Sequence, residues 1–329
     1  MSKAFELKFE AEAMGNVQYA EITLGLDIPA KAFVRTVLDP AARKDLALAN
    51  IADTLEAQVL GRGVFKGEVS KVRQVGTHVL ETIYTDAMGR LENISESEFS
   101  KGMRLEDFLR SVATQAGLRA KFSGKFSTEI GGRDLAGKSY HDHLLELSEE
   151  FGFFFCVNSV AEELCLFALG SFRNALNLES PKVLSVTATQ RAHALRESAE
   201  VMGFDSAQGK GTKAELSAHA MYESLGFLKE AGSFDTRRSW PQSKGRYETV
   251  TPPDRSVEQT KQALCARLAK QAALGDEVLV TCLQVALPAD QVELGEGFAP
   301  AQRGKYLVLR SCIRLGHAKP RCELTLVRA

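Results

Sequence analysis

The segment from residue 132 to residue 169 carries two conflicting signals about its structure. Its first eight residues, Gly132–Ser139, read GRDLAGKS and fit the P-loop pattern G-x-x-x-x-G-K-[ST]. A helical pattern comes next over Tyr140–Phe151, but it stops at Gly152 and continues into two short apolar stretches at 153–157 and 164–169. A nucleotide-binding P-loop is not normally succeeded by a helix, a glycine stop and a tight apolar hairpin. The interpretation of this segment therefore decides whether we expect an enzyme.

The P-loop string lacks the structural context that nucleotide binding requires. A working P-loop is delivered by an apolar strand, and an aspartate at the end of a second apolar strand helps to hold Mg²⁺. The preceding segment alternates polar and apolar residues, and no such second strand comes after it. We therefore interpret Gly132, Gly137, Lys138 and Ser139 as a decoy. In this interpretation Ser139 caps the helix with Asp142 at the capping-box position, and Lys138 is solvated.

Other catalytic signals are weak as well. His141 and His143 stand two positions apart on the predicted helix, so their rings point about 200° apart and cannot share one metal ion. No serine or cysteine lies in a local nucleophile signature such as G-x-S-x-G. We expect no catalytic residue, no cofactor and no metal, and hence no enzyme.

The charge balance and the length of the apolar runs limit the kinds of partner that the chain can bind. The 329 residues include 41 Lys and Arg against 42 Asp and Glu, so there is no overall positive charge to attract nucleic acid or an anionic membrane. The longest apolar runs are about six residues, far below the roughly 20 that span a bilayer, and the polar start is not a signal peptide. We expect synthesis in the cytoplasm, no membrane contact and no nucleic-acid partner.

The six cysteines show no C-x-x-C spacing, and most lie in apolar strand or helix patterns. We expect them to be reduced and buried. Cys156 and Cys165 occupy mirror positions in the predicted hairpin, so a disulfide between them is geometrically conceivable, although a cytosolic origin argues against it.

Two β-rich regions flank a helical one. Period-2 alternation predicts strands in the first 94 residues, and it returns after Pro181 and again in three closing strands, 277–283, 304–310 and 323–328. Between these regions a helix followed by a strand occurs twice, at 105–122 and at 140–157, with Gly117 and Gly152 as matching stops. This match indicates a duplicated helix–strand unit.

Residues 205–255 are rich in Gly, Ser, Lys, Arg and Pro, which predicts long loops with a short helix near 218–229. Ser256 then offers an N-cap for a helix that extends to about Ala273. Within the loops lies a possible partner-binding segment that mixes cations with an aromatic residue: Arg237, Arg238, Trp240, Lys244 and Arg246. An acidic protein neighbour, nucleic acid and no partner at all are the alternatives for this segment.

The fold class that we predict is α+β and mainly β. Two small antiparallel β-barrel domains, 1–94 and 181–329, flank a helix–strand module at 95–180, and a loop-helix insertion at about 205–275 interrupts the second barrel.

Three passages resemble motifs of one known family. Gly63-Val-Phe-Lys-Gly-Glu-Val resembles an F-x-G-x-V strand, and the helix and hairpin from Lys138 to Phe155 are similar to S-Y-x-x-x-L-x-x-L-A-E-E-x-G-x-x-x-x. The closing passage from Gly304 to His317 resembles G-x-Y-x-V-x-x-V-x-H, although Arg314 stands where that family often has its histidine. The family is that of contractile-tail baseplate hubs, which includes the phage late control protein D group and the N-terminal hub region of VgrG.

This resemblance implies a homotrimer whose alternating barrels form a pseudo-sixfold ring between a sixfold tail tube and a threefold spike. In such a ring we assign five apolar residues to barrel cores or trimer seams: Phe5, Phe9, Phe65, Tyr306 and Val308. Implied partners are further copies of the chain, a tail tube or tube-initiator protein, a separate spike protein and other baseplate proteins. The particle would be a phage virion, a tailocin or another contractile injection system. Two alternatives stay open, namely a P-loop nucleotide-binding protein using Gly132–Ser139 and a β-barrel protein that binds nucleic acid or carbohydrate.

Overall fold

A computed structural model gives the fold of the chain. It describes residues 5–9, 16–37, 54–59, 61–76, 78–95, 103–130, 137–190, 195–205, 210–217, 242–250, 267, 270, 274, 276–315 and 321–328. Most of the elements that lie wholly within these ranges are strands, and the three α-helices among them are short. The mainly β fold predicted from alternation is confirmed.

In chain order the elements are β1 (Phe5–Phe9), β2 (Asn16–Gly25), β3 (Lys31–Val37), β4 (Thr54–Val59), β5 (Arg62–Val75), β6 (Val79–Thr85), α1 (Met88–Asn93), β7 (Met103–Arg104), α2 (Leu105–Gln115), β8 (Arg119–Ser123), β9 (Glu129–Ile130), α3 (Tyr140–Phe151), β10 (Phe153–Asn158), β11 (Glu163–Ala168), β12 (Ala175–Leu178), β13 (Val183–Gln190), β14 (Leu195–Asp205), β15 (Lys210–Ser217), β16 (Gln242–Val250), β17 (Asp276–Cys282), β18 (Gln291–Leu294), β19 (Gly304–Leu315) and β20 (Arg321–Arg328).

One large sheet joins the beginning of the chain to its end. Its order is β1-β4-β5-β6-β3-β2-β19-β20-β17-β13, with β18 added on β19 and β12 on β18. All pairs are antiparallel except β12 with β18, which is parallel. The β2–β19 pair connects the two regions predicted as separate barrels. Over the described residues the strand order does not close into a ring, so the two-barrel arrangement stays a prediction.

The core of this sheet results from alternation along its strands. On β2, Ala20, Ile22 and Leu24 point inward, and the same period places Phe65, Tyr306 and Val308 in that core. These last three assignments are confirmed as core positions, whereas the side chains of Phe5 and Phe9 lie outside the described residues.

Gly67 of the F-x-G-x-V motif is required by a close approach in the large sheet. A β-carbon at this position would lie 2.7 Å from the Thr85 carbonyl oxygen and 2.4 Å from the Phe65 ring. Real β-carbons do not tolerate such distances from backbone, so only glycine lets β5 pass β6 here with the Phe65 ring in place.

The helix–strand module has a core of its own. The sheet β10-β11-β8 contains the strand of each predicted unit, with β11 antiparallel to β10 and parallel to β8. Leu109 of α2 and Leu144 of α3, which the duplication aligned, are both fully buried in one cluster. Gly117 and Gly152 adopt φ values of 70° and 64°, as their predicted role as αL stops requires.

Part of the predicted insertion was assigned wrongly. Lys244 and Arg246 lie in strand β16, not in a loop, and β15 and β16 flank β14 in a separate sheet. Charged residues and glycines hide the strand pattern, because strand propensity depends more on the neighbouring strand than on the segment itself. Arg237, Arg238 and Trp240 lie outside the described residues, as do the predicted helix at 218–229 and most of that at 256–273.

Candidate functional site

The first candidate site is a buried junction centred on Asp27, two residues after the end of β2. Asp27 adopts φ 60°, a left-handed conformation that Asp tolerates better than most residues. Its N–H donates to the Phe155 carbonyl at 2.7 Å, and the Phe155 N–H donates to its Oδ1 at 2.9 Å. One residue therefore attaches the large sheet to the hairpin of the helix–strand module.

Lys270 completes the junction from a third segment of the chain. Its Nζ donates to Asp27 Oδ2 at 2.6 Å, to Ser148 Oγ at 2.9 Å and to the Phe153 carbonyl at 2.8 Å. The ammonium also lies 4.6 Å from the centroid of the Phe154 ring, and the side chain is only 6% exposed. An ammonium has three protons, and all three are donated here.

Burial raises the pKa of Asp27, and the neighbouring Lys270 opposes that shift. A buried ion pair of this kind stabilises one arrangement of the segments only while both partners are present. The three acceptors around Lys270 Nζ come from the segment after β2, from α3 and from β10. The junction therefore holds separate segments of the chain together.

Asp86, between β6 and α1, is a second buried acid. Its Oδ1 accepts from the Met88 N–H at 3.2 Å, and its backbone N–H donates to the Ala30 carbonyl at 3.0 Å. Among the described residues no donor reaches Oδ2 in hydrogen-bond geometry. Burial raises the pKa of Asp86 to about 8, although the hydrogen bond from the Met88 N–H acts to lower it. The carboxyl is thus mostly neutral at pH 7.

The second candidate site is the outward face of the large sheet. Two cross-strand rows run over neighbouring strands, and hydroxyl side chains recur in both. The first row is Thr23, Cys312, Glu323, Thr281 and Ser185. The second is Arg310, Thr325, Leu279 and Thr187. Together they line a groove of about 430 Å³ that crosses from β2 to β13.

An ion-pair network lies at one end of this groove. Arg314 donates to Glu21 Oε2 at 3.0 Å and to Glu323 Oε1 at 2.5 Å, which connects β19 to both of its neighbours. Burial alone would raise the pKa of Glu21, but the Tyr19 hydroxyl, at 2.6 Å, and Arg314 bring it below its usual value. Arg314, the departure from the family motif, thus forms a polar seam between the first and last parts of the chain.

The described residues of the P-loop string, 137–139, lie at the N-terminal cap of helix α3. Ser139 Oγ accepts from the Asp142 N–H at 3.2 Å, and Asp142 Oδ2 accepts from the Ser139 N–H at 3.2 Å, so the predicted capping box is present. The hydrogen bonds from Ser139 hold the pKa of Asp142 below its usual value. Lys138 pairs with Glu146, and Gly137 adopts φ 77°. Gly132 lies outside the described residues.

The sequence patterns did not identify Asp27 or Lys270 as site residues, although the position of Lys270 in the predicted helix is informative. It stands seven residues after Ala263 and four before Leu274, so it is in phase with the apolar face of the predicted helix. A cation in phase with such a face needs a buried partner. Leu274 N–H donates to the Lys270 carbonyl at 3.1 Å, the spacing of an α-helix.

The described part of the chain shows neither a metal site nor a membrane helix. It contains no group of three or more His, Cys, Asp and Glu placed to hold a metal ion. Nor does any helix within it have the length and apolar character to cross a bilayer.

Comparison with known proteins gives a clear result for structure and none for sequence. No protein-family profile matches the chain, and no curated protein matches it. A tail protein from Neisseria meningitidis matches with a TM-score of 0.71 at 13% identity, over 98% of this chain and 96% of that one. The 43 kDa tail protein of prophage MuSo2 from Shewanella oneidensis matches with a TM-score of 0.69 at 13% identity, over 99% and 98% of the two chains.

A type VI secretion component of E. coli, itself described as similar to T4 phage tail proteins, matches with a TM-score of 0.64 at 8% identity, over 98% of this chain and 77% of that one. The chain therefore has the fold of phage tail and type VI secretion proteins. The resemblance found in the sequence motifs is confirmed at the level of the fold.

Proposed function

We propose that the protein is a structural component of a phage-like tail or related injection particle, and that within it the chain serves as a baseplate hub. The observation that carries this proposal is the shared fold over 98% of this chain and 96% of a tail protein. A match over almost the full length of both chains covers the arrangement of the whole unit, not one common motif.

The proposed hub is a homotrimer that joins a sixfold tail tube to a threefold spike. Its subunit contains the domains at 1–94, 95–180 and 181–329, and it acts by binding, without catalysis. Two features support this role, because an adaptor must hold its binding surfaces at fixed angles. The β2–β19 pairing makes the large sheet continuous, and the Asp27–Lys270 junction attaches the module to that sheet.

We assign the groove on the outward sheet face to contact with a neighbouring subunit. Five of its lining residues are Ser or Thr, whose short side chains leave room for an incoming surface, and Leu279, which also lines it, is 45% exposed. Beside it, β13 pairs only with β17 over the described residues, and Leu184 on β13 is 51% exposed. Exposed apolar side chains next to a sheet edge are typical of association surfaces.

The proposed partners are a tail tube or tube-initiator protein, a separate spike protein and other baseplate proteins. We accordingly propose that the protein is made in the bacterial cytoplasm and is then assembled with these partners into a virion, a tailocin or an injection particle. The predicted segment with Arg237, Arg238, Trp240, Lys244 and Arg246 stays a candidate partner surface.

The test is the mass of the purified protein in solution, measured by light scattering or native mass spectrometry. We expect three times the chain mass of 35.9 kDa, and binding of tube and spike proteins encoded beside it. A monomer that binds neither protein would contradict the hub. Stabilisation of such a monomer by nucleotide would favour the P-loop alternative.

A variant tests the groove itself. Thr187→Arg places a long cation in the groove and should reduce the trimer to smaller species, whereas Thr114→Arg on the exposed face of α2 should leave the mass unchanged. Equal masses for the two variants would remove the groove from the subunit interface without affecting the proposal of a hub.

A further inference from the structure

Two cysteines face each other across the hairpin β10–β11. Cys156 and Cys165 are directly opposite in the antiparallel register, and both are buried with free thiols. Directly opposed residues have Cα atoms about 4.5–5.5 Å apart, and disulfides span Cα distances of about 4.4–6.8 Å. The backbone is therefore placed for a bond between these two sulfurs without a change of register.

Arg173 lies beside both sulfurs. Its Nη2 donates to Cys156 Sγ at 3.4 Å, and its guanidinium stands 5.9 Å from the centroid of the Phe167 ring. The hydrogen bond from the Cys156 thiol lowers the pKa of Cys165 to about 7, burial opposes this shift, and Arg173 adds to it. A buried thiol that is partly ionised at neutral pH is unusual, because burial alone favours the neutral form.

A small cavity reaches Cys156, the residue directly opposite Cys165. It has a volume of about 30 Å³ and is lined by Cys156, Arg173 and Asp86, among others. A cavity above roughly 10–15 Å³ holds one water molecule, so this one accommodates a molecule the size of hydrogen peroxide. A larger oxidant such as glutathione disulfide does not fit.

We propose that Cys156 and Cys165 form a redox modification site, which a small peroxide converts to a cross-strand disulfide. The Cys165 thiolate attacks one peroxide oxygen, so that an S–O bond forms, the O–O bond breaks and hydroxide leaves. Cys156 then attacks the oxidised sulfur, the S–S bond forms, and the S–O bond breaks to release a second hydroxide. With the two thiol protons the products are one disulfide and two water molecules, and the peroxide accepts both electrons.

The chain contains an internal comparison. Cys282 and Cys322 are also directly opposite, on β17 and β20, and both are buried. Their nearby groups are the Ser311 hydroxyl, 3.2 Å from Cys322 Sγ, and the Gln284 carbonyl, which accepts from Cys282 Sγ at 3.0 Å. No guanidinium is among the groups that shift the pKa of these two thiols, so this pair should react more slowly than Cys156 and Cys165.

The experiment treats the full-length protein with hydrogen peroxide and tracks intact mass, then maps cross-links by digestion without reduction. We expect a loss of two hydrogens, a cross-link between Cys156 and Cys165, and a rate at least several-fold above that of the Cys282–Cys322 pair. Arg173→Gln should slow the reaction, and Arg35→Gln, at an exposed ion pair, should not.

Three results would overturn the proposal: no loss of mass, oxygen added to Cys165 without a cross-link, or a cross-link confined to Cys282 and Cys322. The wild-type measurement decides among these even if the Arg173 variant fails to fold.

Discussion

The buried carboxyl of Asp86 makes stability depend on pH in a direction opposite to that of most acids. In the unfolded chain an aspartate ionises near its ordinary pKa of 3.8, but in the folded protein Asp86 keeps its proton up to a pKa of about 8. Between these values the folded state binds more protons than the unfolded state. Stability is therefore lost as the pH rises from about 4 to about 8, and this contribution is constant above that range.

The size of the effect is set by the two pKa values. At 1.36 kcal/mol per pH unit, the group removes about 3 kcal/mol of stability between pH 5 and pH 7, and about 1 kcal/mol more by pH 9. Asp86→Asn cannot ionise, so its unfolding free energy should lack this slope. Relative to wild type, the variant should gain about 4 kcal/mol between pH 5 and pH 9, whatever its stability at any single pH.

Urea unfolding at pH 5, 7 and 9 measures this difference. The matched control is Asp142→Asn, because Asp142 is exposed and its pKa is lowered, so that it stays ionised in both states over this range. A constant difference between Asp86→Asn and wild type across the three pH values would show that Asp86 is ionised in the folded protein. The assignment of a neutral buried acid would then be wrong.

Three further predictions concern the junction, the sheet and the helix cap. Lys270→Met leaves the Asp27 carboxyl buried without its cation and should cost about 3–5 kcal/mol in urea unfolding. Lys121→Met, at an exposed ion pair, should cost less than about 1 kcal/mol. Gly67→Ala should destabilise the fold by about 1–3 kcal/mol in thermal unfolding, since the new β-carbon meets the Thr85 carbonyl and the Phe65 ring. In the control Gly295→Ala the β-carbon enters open space, so stability should hardly change. Ser139→Ala removes the cap of α3 and should lower the free energy of unfolding by about 1 kcal/mol. It should leave any change of melting temperature on adding nucleotide unaltered, and loss of such a change would favour the P-loop alternative.

Elements with local signals were predictable from the sequence. The start of helix α3 is indicated by Ser139 and Asp142 and its end by Gly152, and all three act as expected. Strand β3 shows the same alternation, with Ala32 and Val34 buried, and lies within the first 94 residues where strands are predicted. Strands β15 and β16 carry glycines and charges, and only pairing with β14 shows them to be strands.

The candidate sites were harder to predict because their residues are distant in sequence. Asp27 and Lys270 stand 243 positions apart, and no periodicity relates one to the other. Likewise, alternation predicts that β2 and β19 each have a wet face, but not that these faces are adjacent and form one groove. Pairing of distant strands depends on the whole fold, which a pattern within one segment does not contain.

The β2–β19 pairing also has a consequence for synthesis on the ribosome. Arg314 reaches Glu21 across 293 positions, so β2 emerges long before the strand that covers one of its edges. During that interval β2 has an unpaired edge, which in other proteins invites pairing with the wrong chain. A nascent chain interrupted before residue 304 keeps this edge open and has no complete groove. Assembly would thereby reject unfinished subunits, because only a chain translated through β20 both closes the edge and presents the surface that we assign to its neighbour.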